Sequence, residues 1–262
     1  MDLGLKDKCA LVMASSSGLG KAIAMEMARE GANVMLFSPD LAGLKEAQAD
    51  IQNETGKKPA YFCGSITDCN DIKTLVKKTV DTFGAIYALV NNTGGPKPGP
   101  FDKFKDEDWQ DAYELCLLSY IRTIREVLPY MRANGGGRIV NSTSSSVKAV
   151  LDNLILSNTF RMGVVGLCKT LSQELGKDNI LVNVIGPGRI GTARIDYLDK
   201  VRAEKAGKTV DEIQKASFAN IPLGRYGKPD EYGRLAAFLC SEANTFITGQ
   251  MVLVDGGMVK AF

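Results

Sequence analysis

Short apolar runs, many of them β-branched, alternate with amphipathic segments along the whole chain. Runs at 9–13, 33–37, 60–63, 88–90, 138–141, 181–185 and 251–254 predict strands. Segments at 18–30, 41–55, 70–83, 105–133, 154–175 and 229–241 have the spacing of helices that bury one face. Strands separated by helices require right-handed crossovers, and so a parallel sheet covered on both faces. The expected fold class is therefore α/β, a doubly wound seven-stranded parallel sheet. No composition break, linker or internal repeat interrupts the alternation, so residues 1–262 read as one domain.

Two stretches depart from the pattern. Residues 91–102 hold Gly94, Gly95, Pro96 and Pro98 and read as a loop after the fourth strand. Residues 192–221 are charged and helical in character without a strong buried face. In a doubly wound sheet, loops beyond the carboxyl ends of the strands form the binding crevice. The second stretch is therefore expected to be a helical lid over a substrate.

Composition narrows the chemistry chiefly by what is missing. The chain contains no histidine, which removes histidine general acid/base catalysis, Ser-His-Asp hydrolysis and histidine-ligated metal sites. No metal is expected. The charges are nearly balanced, with net charge +2, so neither nucleic acid nor an anionic membrane is an expected partner. The six cysteines are scattered without a Cys-x-x-Cys pair, and most sit in apolar patterns that suit reduced, buried thiols. The first residues carry no apolar signal core, and a cytoplasmic location is expected.

The run 9–13 ends in Ala14-Ser15-Ser16-Ser17-Gly18-Leu19-Gly20, and a helix pattern follows at once. A strand, a small-residue turn and a helix N-terminus form a phosphate cradle of exposed N–H groups and helix dipole. Taken alone, the same turn also suits a tight connection that binds nothing. The turn resembles the Thr-Gly-x-x-x-Gly-Ile-Gly motif of the short-chain dehydrogenase/reductase family, which has a Rossmann fold. Met13 stands for the threonine and Ala14 for the first glycine, so a small backbone adjustment is expected. Leu89-Val90-Asn91-Asn92-Thr93-Gly94 is similar to that family's Asn-Asn-Ala-Gly segment. Pro187-Gly188-Arg189-Ile190-Gly191-Thr192 resembles its Pro-Gly-x-Ile-x-Thr loop, and Val254-Asp255-Gly256-Gly257 the end of its 3-oxoacyl-acyl-carrier-protein reductase branch.

The resemblance implies an NAD(P)-dependent oxidoreductase that interconverts a ketone and an alcohol. It assigns the cofactor to Ala14, Ser16, Ser17, Leu19, Ser38, Asn91, Thr93, Gly94, Pro187, Gly188, Ile190 and Thr192. Ser38 ends the second strand where an acid would bind the ribose of NAD and repel the 2′-phosphate of NADP. NADP is therefore expected to be preferred over NAD, although Pro39 and Ser17 replace common basic residues and Ser65 an aspartate that contacts adenine.

The family's catalytic pattern is incomplete. Its serine falls on Ser144; thirteen residues on, Ser157 replaces the tyrosine acid, and Arg161 replaces the lysine four further. Cys116 takes the place of a helix asparagine, and no tyrosine lies between Tyr130 and Tyr197. A phenol with an ordinary pKa of about 10 needs a nearby cation to act near neutrality. Serine is a poorer acid still, and guanidinium holds its proton to a pKa above about 12. Arg161 reads either as a fixed cation for substrate charge or as a structural ion pair on its helix. Lys148, in the loop beyond strand five, reads as a surface lysine or as a desolvated proton donor, and Tyr197 is a weaker candidate acid. Ser144, Ser157, Arg161 and Lys148 form the expected catalytic set. The partner is a small-molecule substrate, anionic if Arg161 and Lys148 face it. The alternative is a non-catalytic dinucleotide-binding or scaffolding relative. The helices at 105–133 and 154–175, with residues 254–262, resemble the family's assembly surfaces and imply a homotetramer or homodimer.

Overall fold

The computed structural model describes residues 2–261; Met1 and Phe262, the ends of the expected domain, lie outside the described residues. The strands are β1 (Cys9–Met13), β2 (Asn33–Ser38), β3 (Ala60–Cys63), β4 (Ala88–Asn91), β5 (Gly137–Ser142), β6 (Ile180–Pro187) and β7 (Met251–Val254). They form one parallel sheet in the order β3-β2-β1-β4-β5-β6-β7. The helices are α1 (Gly18–Arg29), α2 (Leu41–Thr55), α3 (Cys69–Phe83), α4 (Asp106–Tyr113), α5 (Ser119–Ala133), α6 (Ile155–Leu175), α7 (Ala193–Ala206), α8 (Val210–Phe218) and α9 (Pro229–Leu239).

Every residue of β1 is buried because both faces of the sheet are covered. Val12 packs in a core with Ile23, Met27, Tyr232 and Ala236 of α1 and α9. Leu11 and Met13 point into a second core with Leu75, Val127 and Cys168 of α3, α5 and α6. Burying each such leucine or methionine is worth about 1.5–3 kcal/mol, which holds the strand ends in place under the loops. After β3 the chain returns on the other side of β1 to form β4. This reversal opens a crevice at the carboxyl ends of β1 and β4, the usual ligand position in such sheets.

One expectation is corrected. The helix expected over 105–133 is divided: α4 and α5 are separated by a π-helical segment, Glu114–Leu118. One extra residue is accommodated where Leu117 packs on Gly163, and a side chain at Gly163 would meet Leu117 Cδ2 at 2.9 Å. The stretch 192–221 forms α7 and α8, which enclose little: only Asp199 and Ala203 of α7 are buried, and no residue of α8. Of the six cysteines, all free, Cys63 and Cys69 are exposed and the other four are buried.

Candidate functional site

The turn after β1 is tied to the neighbouring strand by Ser15. Its Oγ donates to the Val12 carbonyl at 2.8 Å and accepts from the Phe37 N–H at 3.0 Å. Ala14 does not escape the geometry of the glycine it replaces, since its φ is +47°. The expected adjustment is absent because the turn is held on both sides, and alanine there carries about 1–2 kcal/mol of left-handed strain. Part of that is offset by glycine's greater freedom when unfolded. Ala14→Gly is therefore expected to stabilise the protein by about 0.5–1 kcal/mol, read as a higher urea midpoint at unchanged m. No gain would mean that the turn carries no strain.

The residues present fit a dinucleotide phosphate. Ser17 caps α1 without a side-chain hydrogen bond, and the first turn of α1 carries no acidic residue. Its leading N–H groups and dipole are thus left to an anion. Ser17 and Gly18 are exposed, whereas Ser16 and Leu19 are half-buried. Thr192 caps α7 without a side-chain bond. Its methyl lies 3.9 Å from where Gly18 would carry a Cβ. The loop after β6 thereby reaches across to the turn after β1. Backbone bonds hold that loop: Gly188 N–H to Val254 O, Gly191 N–H to Gly227 O, and Gly227 N–H to Arg189 O. Pro187 and Gly188 are half-buried, and Ile190 is buried.

At the end of β2, Ser38 is buried with its Oγ 2.9 Å from Ser16 Oγ. Asp40 accepts from Gly43 N–H as the cap of α2. Lys21 of α1 is drawn instead to Asp50 and Glu46 on α2. Ser65 bonds Thr67 and, through its N–H, Asp71. Asn91 and Asn141 lie opposite one another on β4 and β5, and Asn91 Nδ2 donates to Asn141 Oδ1 at 2.9 Å. One of the two N–H donors of the Asn91 amide is therefore committed to the sheet. Thr93 is half-buried, and Gly94 is exposed at the crevice.

Ser144 is half-buried, and its Oγ accepts from Ser146 N–H at 3.1 Å. Ser157 and Arg161, one turn apart on α6, are each 5% exposed. Arg161 donates from Nη1 to the Ser142 carbonyl at the end of β5 and from Nη2 to the Gly94 carbonyl, both at 3.2 Å. No carboxylate pairs with it among the described residues. Tyr120, buried on α5, donates its phenol to the same Ser142 carbonyl at 2.7 Å. Burial pushes the Tyr120 phenol up to about 12, while the nearby Arg161 pulls in the opposite direction. Burial also raises the Cys116 thiol, again opposed by Arg161. Beneath them, Tyr232 Oη lies 2.8 Å from Ser142 Oγ.

Lys148 follows a short 3₁₀ turn and is exposed. Tyr197 is also exposed, at 59%. The structure thus brings Ser144, Ser157 and Arg161 to one end of β5 and α6, but leaves Lys148 on the surface. Sequence reasoning missed Tyr120, whose position one turn after Cys116 was the available signal. It also missed a buried link across α7. Asp199 accepts from Arg189 Nη1 at 3.0 Å and from Tyr226 Oη at 2.7 Å. Spacings of 10 and 27 residues in irregular chain gave no pattern to find.

A doubly wound sheet with an uncapped small-residue turn at its switch point is the architecture of dinucleotide-binding α/β proteins. The chain matches the family described as Enoyl-(Acyl carrier protein) reductase over residues 13–259. It is 34% identical to the 3-oxoacyl-acyl-carrier-protein reductase of Thermotoga maritima over 257 residues, 97% of this chain and 99% of the relative. The structure of L-sorbose reductase from Gluconobacter frateurii, complexed with NADPH and L-sorbose, superposes with a TM-score of 0.95 at 32% identity. Both chains are covered completely. A 7α-hydroxysteroid dehydrogenase complexed with NADH and 7-oxo glycochenodeoxycholic acid gives 0.89 at 31% identity, over 99% of this chain and 97% of that one. The chain belongs to the short-chain dehydrogenase/reductase family, whose members are NAD(P)-dependent oxidoreductases. No helix among the described residues is long and apolar enough to cross a membrane.

Proposed function

We propose that the protein is a cytoplasmic NAD(P)-dependent oxidoreductase that interconverts a ketone and an alcohol and stabilises the reacting oxygen with Arg161 rather than a tyrosine–lysine pair. The observation that carries this reading is a buried guanidinium fixed by two backbone carbonyls and unpaired with any carboxylate among the described residues. A structural ion pair, the other reading of Arg161, finds no partner there.

Bound nicotinamide would supply the hydride for the carbonyl carbon. Ser144 and Ser157 would bind the carbonyl oxygen, and Arg161 would stabilise the negative charge that grows on it. Guanidinium keeps its proton, so Arg161 acts electrostatically. The proton then reaches the oxygen from solvent by way of the half-buried Ser144 hydroxyl. Tyr120 donates to the same Ser142 carbonyl and so fixes one of the two anchors of Arg161. Loss of a general acid costs about 10²–10⁴-fold. A slower enzyme is the expected consequence, and this separates the reading from a non-catalytic scaffolding relative.

NADP is preferred over NAD in this reading because Ser38 and Ser16 present neutral hydroxyls where an acid would repel the 2′-phosphate. The preference is small, since Lys21 is held by α2. Assembly as a homotetramer or homodimer through α5 and α6 belongs to the same reading, supported by Met162, 53% exposed on α6. Calorimetric titration is expected to show saturable binding of both nucleotides, with NADP the tighter. Tighter NAD binding would reverse the preference, and saturable binding of neither would favour the non-catalytic relative.

A further inference from the structure

Arg194 stands in the first turn of α7, two residues after Thr192, and is exposed. It takes part in no hydrogen bond or ion pair among the described residues. Its guanidinium lies against the loop after β4: Nη2 is 3.5 Å from where Gly95 would carry a Cβ. The neighbouring carbonyl, Gly94 O, is the one that holds Arg161 Nη2 at 3.2 Å. Standard bond lengths then place the two guanidinium groups no more than about 11 Å apart, Arg161 buried and Arg194 exposed. Gly94 and Gly95 are both exposed, and neither has a side chain to fill the space between.

An arginine usually ends on a carboxylate or a carbonyl that accepts its fork. Here no acceptor is present among the described residues, and the backbone at its tip is exposed glycine without a side chain. The segment that carries it is held down from inside. Asp199, one face further along α7, is fully buried on Arg189 and Tyr226. Arg194 is therefore presented over the crevice by an anchored helix, not by a loose tail. A planar guanidinium in this position matches a carboxylate or phosphate bidentately, which a lysine would not do.

We infer that Arg194 is a specificity residue that binds a negatively charged group on the substrate, so that the site takes anionic ketones or alcohols, with the carbonyl end at Arg161 and the acidic end at Arg194. The inference rests on the oxidoreductase reading above and names the substrate class for it. The same chemistry could serve the phosphates of the dinucleotide, and the test separates the two.

The probes are oxo acids of three to six carbons and their neutral methyl esters. Each is titrated calorimetrically into protein saturated with NADP⁺, which cannot reduce them. At least one acid is expected to bind tenfold or more tighter than its ester. Arg194→Met should abolish that difference while leaving ester affinity and NADP⁺ affinity unchanged; a tenfold loss corresponds to about 1.4 kcal/mol. Equal binding of acids and esters throughout, or binding of none of them, overturns the inference. So does a loss of NADP⁺ affinity in Arg194→Met, which would assign the residue to the cofactor. A charge preference that survives while NADPH oxidation is absent with every probe would instead sink the oxidoreductase reading and leave the anion site standing.

Discussion

Arg161→Met is expected to lower kcat/KM for ketone reduction by about 10²–10³-fold, with NADP affinity changed little. That range, about 2.7–4 kcal/mol, is typical for removing one preorganised donor from a site where charge develops. Arg161 is 5% exposed, so in the proposed mechanism its field on the reacting oxygen is poorly screened by water. It is also pinned at two points, Ser142 O and Gly94 O, so little reorganisation is needed as the charge forms. Some stability should be lost too, because Gly94 O gives up its charged partner, at about 1–3 kcal/mol. Ser142 O keeps Tyr120. Thermal unfolding separates the two effects: a folded variant with undiminished turnover would remove Arg161 from the mechanism. Arg161→Lys retains charge but cannot reach both carbonyls with one fork, so an intermediate rate is expected.

Gly20→Ala is expected to abolish measurable nucleotide binding and to destabilise the fold by about 3 kcal/mol or more, the upper end of overpacking costs. A Cβ at Gly20 would lie 2.1 Å from Ala14 O and 2.8 Å from Ala14 C. Those are backbone atoms in a turn that Ser15 fastens to both Val12 and Phe37, so neither can retreat cheaply. Asn92 Nδ2 approaches the same Ala14 carbonyl at 3.4 Å, which extends the disturbance to the loop after β4. Gly18→Ala is the control. There a Cβ meets only the Thr192 methyl at 3.9 Å, and the cost is the positive φ of +55° alone, about 1–2 kcal/mol. Chemical denaturation and fluorescence titration of the two variants should differ sharply. Equal effects would mean that the clash at Gly20 is relieved by movement of the turn.

The sequence by itself determined the sheet. Seven apolar runs separated by helical patterns leave little choice of architecture, because a strand buried on both faces must be continuously apolar and parallel neighbours need helical crossovers. It also located the turn proposed to hold phosphate, since small residues between a strand and a helix are legible as a local pattern, and the family resemblance aligned Ser144, Ser157 and Arg161 with that family's catalytic positions. What each polar group meets was decided only by the tertiary structure. Arg161 could be a surface ion pair or a fixed cation until its partners, 19 and 67 residues away, proved to be backbone carbonyls. Lys148 shares the loop beyond Ser144, yet its exposure depends on how a short 3₁₀ turn leaves the sheet. Ala14 keeps glycine's φ because the strand beside it dictates the turn. The π-helical break near Cys116, the Asp199–Arg189–Tyr226 link and the approach of Arg194 to Gly95 arise from contacts between segments distant in the chain. Periodicity records which face of an element is buried; it carries no information about which distant polar group that face will meet.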